Sequence, residues 1–379
     1  MAHRTTFITD LRQVPALAEN GKLREIVSKY PFKCTEYYLN LVESFDGQDP
    51  IGRIVLPHED ELLEWEWGAL DPSNEKAYTV LPGLQHKYDS TVLMLVSNNC
   101  AGLCRYCFRK RLFLDGGKPE VLKDLDEALK YIELHTEITN VILSGGDSLM
   151  LPTGRLKEII SRLRQIDHVG IIRLGSKVPA YFPQRIIRDQ ELLELIRRYS
   201  TPEKRIYVMA HFDHPRELTP EAIRACHLLT QAGAIILNQT PLIRGINDDP
   251  EVLAELFRKL SFAGIAPYYV FQCRPTIGNR PYAVPIEEGY QIFETARGLV
   301  SGLAKRARFT MSHELGKLEI LALTDENVIF KFHRAADNRN TGKVLTYRRN
   351  PHAYWLDDYQ EMVNAYPLHT ESYQPSVLV

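Results

Sequence analysis

The sequence predicts an α/β protein centred on a partial (β/α)6 barrel, with a mixed, partly helical N-terminal extension before it and a β-hairpin and tail after it. Two patterns predict the barrel. From about residue 90, short β-branched or apolar runs recur at 91–97, 140–143, 170–174, 205–210, 234–237 and 267–271. Between them lie segments of helical periodicity, at 125–135, 154–166, 191–199, 220–232, 250–263 and 286–303. Short apolar runs alternating with longer amphipathic segments describe a parallel sheet with crossover helices. Six such units fall short of the eight in a closed (β/α)8 barrel, so an open barrel fits the count.

The flanking segments read differently. Residues 1–85 form the mixed extension, with a helical pattern around 23–27, a further segment at 34–44, and a polar stretch carrying Pro50, Pro57 and Pro72. The acidic, aromatic run 59–67 predicts one short helix. Residues 86–304 are the barrel. In 305–379 the character changes again: 325–332 and 343–348 alternate in polarity around a loop at 335–341, which predicts a hairpin. The last thirty residues, rich in Tyr and Pro, read as an irregular tail docked on the barrel or on a neighbouring subunit.

Composition bounds the function. With 46 basic and 48 acidic residues the net charge is −2, so there is no electrostatic case for nucleic acid or an anionic membrane as partner. No apolar run approaches the roughly 20 residues of a membrane helix, and the first residues lack the apolar core of a secretory signal. The cytoplasm is the expected compartment.

Six cysteines, at 34, 100, 104, 107, 226 and 273, do not make a disulfide scaffold. Three of them form Cys100-Ala-Gly-Leu-Cys104-Arg-Tyr-Cys107, directly after the first barrel strand, where parallel α/β folds bind ligands. Zinc and plain burial are the alternatives. Structural zinc takes four ligands, commonly as two separated pairs, and here no fourth ligand stands beside the three thiols. Three thiolates hold three corners of a [4Fe–4S] cluster and leave one iron open to a substrate atom, whereas the usual four cysteines close all of them.

A CxxxCxxC loop after the first strand of a six-unit barrel resembles the radical S-adenosylmethionine (SAM) superfamily, in which the open iron chelates the amino and carboxylate groups of SAM. The wider sequence resembles its lysine 2,3-aminomutase family. The similar stretches are Val80-Leu-Pro-Gly-Leu-Gln-His-Lys-Tyr88, the cysteine loop into Phe108-Arg-Lys-Arg111, Leu143-Ser-Gly-Gly-Asp-Ser148, Gly175-Ser176 with Pro183-Gln-Arg185, His211-Phe-Asp-His-Pro215, Asn238-Gln239 with Arg244-Gly245, and Tyr268-Tyr-Val-Phe-Gln-Cys273. They follow the family's order over roughly residues 50–345. The resemblance implies a radical SAM isomerase that moves an amino group from Cα to Cβ of an amino acid. It implies a [4Fe–4S] cluster, SAM and pyridoxal 5′-phosphate (PLP), an electron donor such as flavodoxin or ferredoxin, and a homo-oligomer. The competing expectations are a relative with other radical chemistry and no PLP, and a non-catalytic iron–sulfur or zinc module.

Residue by residue, the resemblance places Cys100, Cys104 and Cys107 on the cluster. Ser144, Gly145, Gly146 and Asp147 fall to SAM, the paired glycines admitting close backbone approach. Alone, such a pair is more often a plain turn. Ser176, Lys177, His211 and Gln239 also end predicted strands, so they line the same mouth; His211 by itself would more often be a structural histidine. Arg109 matches the arginine that binds the substrate α-carboxylate, a task suited to a planar bidentate donor, although a basic run such as Arg109–Arg111 is ordinarily solvated. Lys317, in Ser312-His-Glu-Leu-Gly-Lys-Leu-Glu-Ile320, matches the lysine that holds PLP as an imine, with Lys87, Tyr88, Asn238 and Gln239 toward phosphate or ring.

Four departures from the family pattern stand out. Only Gly316 remains of the glycine run before the PLP lysine. Thr91 stands where relatives carry a further arginine, which predicts a weaker phosphate grip. Arg274 and Thr310 replace the two aspartates that hold the distal ammonium of lysine. At about 4 Å and an effective dielectric of about 20, an interaction of either sign is worth about 4 kcal/mol, enough to reverse selectivity. The expected substrate is therefore an acidic or neutral polar amino acid, read by Arg274, rather than lysine. Finally, no Cys follows Cys273, so the C-terminal zinc site of longer relatives is not expected.

Overall fold

The computed structural model of the 379-residue chain describes residues 6–63, 65–114 and 120–366. The N-terminal extension forms a two-stranded antiparallel pair, β1 (Phe7–Ile8) and β2 (Cys34–Thr35), and helices at Gly21–Lys29 and Pro50–Val55. Asn20 and Asp49 cap those helices by accepting from Leu23 N and Gly52 N.

Thirteen further strands form one sheet, and each pairs with its neighbours in chain order. They are β3 (Thr79–Leu81), β4 (Leu84–Tyr88), β5 (Thr91–Ser97), β6 (Asn140–Gly145), β7 (Ile171–Ser176), β8 (Arg205–Ala210), β9 (Ile235–Leu242), β10 (Ala266–Gln272), β11 (Arg308–His313), β12 (Gly316–Leu323), β13 (Asn327–Ala335), β14 (Val344–Arg348) and β15 (Met362–Tyr366). The run β5 to β11 is parallel; the strands on either side of it are antiparallel. Each parallel connection carries a crossover helix with an apolar stripe. Leu125–Leu134 buries Leu125, Ala128, Leu129 and Ile132, and Thr153–Leu163 buries Leu156, Ile159, Ile160 and Leu163, the spacing of one helical face.

Each predicted barrel strand and helix is present, but the parallel set has seven strands. The seventh, β11, turns through Glu314–Leu315 into β12, so Lys317 lies in a strand and not in a glycine-rich loop. Gly316 has φ +150°, and a Cβ there would stand 2.4 Å from the Arg334 carbonyl oxygen; this one glycine is required by the close approach of β13. The predicted hairpin is β13–β14. Of the expected irregular tail, the part up to residue 366 ends in β15, which pairs with β14; the remainder lies outside the described residues.

Along β6, Val141 and Leu143 are fully buried under the helices, while Ile142 and Ser144 between them keep accessible surface. Ile172 and Leu174 alternate in the same way with Arg173 on β7. The second set faces a lumen. Side chains bridge the open seam of this partial barrel. Ser73 Oγ donates to Ser312 O at 2.7 Å, Tyr78 OH to Glu314 O at 2.8 Å and Lys87 Nζ to His313 O at 2.6 Å. No helix among the described residues is long and apolar enough to cross a membrane.

Candidate active site

The cysteine loop leaves the end of β5 and is braced by the N-terminal extension. Leu103 N donates to Lys33 O and Arg105 N to Ile54 O, at 2.8 and 2.9 Å. The Arg105 guanidinium makes two bonds to Glu61, at 2.9 and 2.7 Å, and both side chains are buried. All three thiols are free. Burial pushes the Cys104 thiol up to about 12 and raises Cys100 and Cys107 too, with the neighbouring thiols adding to the shift at Cys100. Cations stand against each: Lys33 near Cys100, Lys177 near Cys104, and Arg109 with Lys110 near Cys107. Buried thiols that resist ionisation until a cation compensates them, in an electropositive frame, suit a polynuclear iron–sulfur centre. Among the described residues no three His, Cys, Asp or Glu side chains converge on a single ion. The irons of a cube occupy separate corners, so its thiolates stand further apart than the ligands of one ion.

The segment after β6 packs directly under that loop. A Cβ on Gly145 would lie 2.2 Å from Ser97 O, and one on Gly146 would lie 2.6 Å from Asn99 O. Both glycines are thus fixed by approach to the base of the cysteine loop. Asp147 directs its carboxylate to backbone, accepting from Leu149 N at 2.9 Å, Lys177 N at 2.7 Å and Val178 N at 3.2 Å; burial lifts it to about 6. Ser176 Oγ accepts from Val178 N at 3.0 Å.

Several residues expected at the cofactors are engaged elsewhere. Lys177 Nζ meets Asp213 at 2.6 Å, Glu217 at 2.7 Å and the His211 carbonyl at 3.0 Å, so its three donors are used. Asn238 exchanges two hydrogen bonds with the Phe212 backbone, at 2.8 and 3.0 Å. These two are internal struts in this structure, because a buried polar group takes whatever partner burial leaves it. His211 keeps part of its surface open, with Nε2 2.8 Å from Asp213 Oδ1. Gln239 is half-buried on β9. Asp213, central to this network, also accepts from Tyr106 OH and from Thr240 Oγ1.

At the mouth a carboxylate gathers the arginines. Glu75 accepts from Arg109 Nε at 3.1 Å and Nη2 at 2.9 Å and from Arg111 Nη2 at 2.6 Å, and Arg274 Nη1 lies 3.6 Å away. Burial alone would raise the Glu75 carboxyl; Arg109, Arg274 and Arg111 together hold it well below the usual range. Arg109 also reaches Ser144 Oγ at 3.1 Å. Arg274 points inward and stacks on Phe108, 3.7 Å from the ring centroid. Burial lowers Arg274 to about 10 despite Glu75, since Arg109 and Arg111 oppose its charge. Thr310 Oγ1 is buried with no hydrogen-bond partner.

Deeper in the lumen, Lys317 Nζ lies over Tyr269 and Phe271, 4.0 and 4.9 Å from their centroids. Burial lowers the amine well below its ordinary value, and Arg173, Arg334, Arg274 and Lys87 lower it further. Lys87 is itself lowered to about 8, by burial and then by Arg274. Thr91 has a guanidinium beside it after all: Arg334 Nη1 donates to Thr91 Oγ1 at 3.2 Å and Nη2 to Ser90 Oγ at 3.0 Å, with the group 4.4 Å from the Tyr88 centroid. The charge expected to be lost at position 91 is supplied from β13. Among the described residues no carboxylate pairs with Lys317, Lys87, Arg173 or Arg334, and Arg173 Nε has no partner. A buried amine with a lowered pKa, beside cations that no carboxylate pairs directly, fits an aldehyde that carries an anionic arm. A cleft of about 960 Å3 on the flank, lined by Trp65, Trp67, Ile277 and Tyr354, holds none of these groups.

Sequence reading missed Glu75, Asp213, Arg173 and Arg334. Asp213 lies within a motif already singled out; Glu75 sits in a polar stretch with no periodicity, and nothing local marks it.

A half-open parallel barrel, with three unpaired thiols at the end of its first parallel strand, defines a radical SAM enzyme, and the radical SAM superfamily model matches residues 94–257. The chain is 48% identical over 369 residues to "Putative L-lysine 2,3-aminomutase" of Aquifex aeolicus (strain VF5), covering 97% of this chain and 98% of that one. It is 36% identical over 284 residues to the L-lysine 2,3-aminomutase of Clostridium subterminale, covering 75% and 67%. It is 32% identical over 306 residues to the glutamate 2,3-aminomutase of Clostridioides difficile, covering 80% and 71%. The chain belongs to the lysine 2,3-aminomutase family of radical SAM enzymes. It is thereby an isomerase whose superfamily uses a [4Fe–4S] cluster and SAM, and its substrate is an amino acid.

Proposed function

We propose that the chain is a PLP-dependent 2,3-aminomutase for an acidic, or else a neutral polar, amino acid and not for lysine. The observation that carries this reading is the inward Arg274, set with Arg109 and Arg111 around Glu75 where a substrate would enter. Such a mouth repels a second ammonium and favours a second carboxylate.

Cys100, Cys104 and Cys107 would hold the cluster, and Lys317 would hold PLP. When bound, the cluster with SAM supplies a carbon radical able to take hydrogen from Cβ, and PLP supplies a π-system for the migrating nitrogen. The residues do the placing. Arg109, once exchanged from Glu75, offers its fork to the α-carboxylate, and Arg274 offers its own to the side chain. Burial and then the neighbouring cations lower the pKa of the Lys317 amine, which favours its action as a nucleophile. Tyr269, Phe271 and Phe108 wall the lumen against water and stray hydrogen donors. Gly145, Gly146, Ser176 and His211 would line the SAM side, and Tyr88, which lies against Arg334, the PLP side. In this reading 86–304 is the catalytic barrel, 1–85 braces the thiols, and 305–379 brings the PLP lysine. A cytoplasmic homo-oligomer reduced by a flavodoxin or ferredoxin completes it.

The test compares kcat/KM for glutamate and lysine in anaerobically reconstituted enzyme. Glutamate is expected to be favoured by roughly 100-fold or more, the equivalent of the charge reversal at the side-chain site. Preference for lysine overturns the substrate assignment. Borohydride treatment with peptide mapping is expected to leave a phosphopyridoxyl group on Lys317, and its absence there removes PLP from the reading.

A further inference from the structure

We propose that Arg334, clamped by Ser90 and Thr91, is the principal phosphate anchor for PLP, with Arg173 facing the same space. This rests on the reading that Lys317 takes PLP. Lys317 and Arg334 are Cα partners in the antiparallel β12–β13 pair, so their side chains leave the sheet on one face, within about 5 Å at Cβ. A register shift follows at once between Lys317 and Leu318, the kind of bulge that re-aims side chains beside functional sites. The aldehyde and phosphate arms of PLP sit on neighbouring ring carbons. Its lysine and its anion site must therefore be close neighbours, as these two residues are.

The surroundings select an anion of high charge. Arg334 meets only hydroxyls in this structure, through two of its five N–H donors, and Tyr88 fixes the plane of the group. Arg173 is close enough for Arg334 to disfavour its charge, and its Nε has no partner. A folded chain does not retain such cations together without a ligand to compensate them. Position argues for the cofactor's arm over a carboxylate of SAM or substrate. Thr91 opens β5 with Ser90 just before it, whereas the cysteine loop follows the strand's end; seven strand residues, about 20 Å, separate the two.

Seam closure is the competing role for Arg334, and the experiment separates the two. Dissociation constants for PLP and for pyridoxal, which lacks the phosphate, are measured by absorbance titration of the anaerobic, cluster-loaded protein, with borohydride mapping of Lys317 in parallel. Arg334→Gln is expected to weaken PLP roughly 10- to 100-fold and leave pyridoxal unchanged, with Arg334→Lys between. An equal effect on both ligands, or none on either, overturns the proposal. Should Arg334→Gln not fold, Ser90→Ala with Thr91→Val loosens the same clamp, and a smaller loss confined to PLP is expected. If neither ligand labels Lys317 in the wild-type protein, it is the PLP reading itself that fails. Tight, Lys317-linked PLP with an unmoved PLP-to-pyridoxal ratio in Arg334→Gln removes only the anchor.

Discussion

Glu75 is the residue on which the charge of the mouth turns. One carboxylate serves Arg109 and Arg111 directly and lies near Arg274, and its depressed pKa follows from that company. A carboxyl held below its unfolded value stabilises the fold above the ordinary carboxylate range, near pH 4.3, and that contribution is lost as pH falls toward the folded value. Glu75→Gln leaves Arg109 and Arg274 without a counter-charge, while Arg111 keeps Glu120 at 2.9 Å, and is expected to cost about 3–5 kcal/mol at pH 7, read as a lower midpoint in urea. Its stability should also fall less steeply between pH 5 and pH 3 than that of the wild type, since the group that must be protonated is gone. An unchanged acid limb would show that Glu75 titrates normally. The three cysteines were marked in the sequence by their spacing, and Arg109, Arg274 and Lys317 by the family resemblance. Glu75 and Arg334 were not, because each is defined by partners more than thirty positions away.

At the scale of elements, the cysteine loop is not self-supporting. Arg105 sits inside it and reaches back to Glu61 and to the carbonyls of Tyr30 and Pro31, tying the loop to the extension. Arg105→Ala leaves buried Glu61 with hydrogen bonds from Tyr282 OH and the His58 backbone and with Lys110 as its remaining nearby cation, which is expected to cost about 3–5 kcal/mol. The variant should bind less iron per chain after anaerobic reconstitution and melt earlier, although no cluster ligand has changed. Iron content equal to wild type would show that the loop holds its shape without the brace. Strand and helix positions in the barrel were readable because each element buries one face at its own period. The β11–β12 pair was not, since the family's glycine-rich pattern directed attention to a loop. What decides its conformation is pairing with β10 and β13, which a local window does not contain.

Across the whole molecule, near-neutrality hides a segregation of charge. The chain carries a net −2, yet its lumen gathers Arg173, Arg334, Arg274 and Lys87 around Lys317, with Arg274 3.6 Å from Glu75. A near-zero net charge therefore says nothing of a cationic interior. Because side chains bridge the barrel seam near these same cations, at Ser90, Thr91 and the His313 carbonyl, filling the lumen and closing the barrel are coupled. Any anion that binds the folded state alone stabilises it by about 2.7 kcal/mol at a hundredfold excess over its dissociation constant. PLP-free protein should then show a saturable rise in Tm with inorganic phosphate, and no comparable rise with chloride at equal ionic strength. The rise should shrink in Arg173→Gln, whose loss removes a cation without touching the seam bonds. Equal responses to phosphate and chloride would mean general screening, and would leave the interior charge without a ligand to explain it.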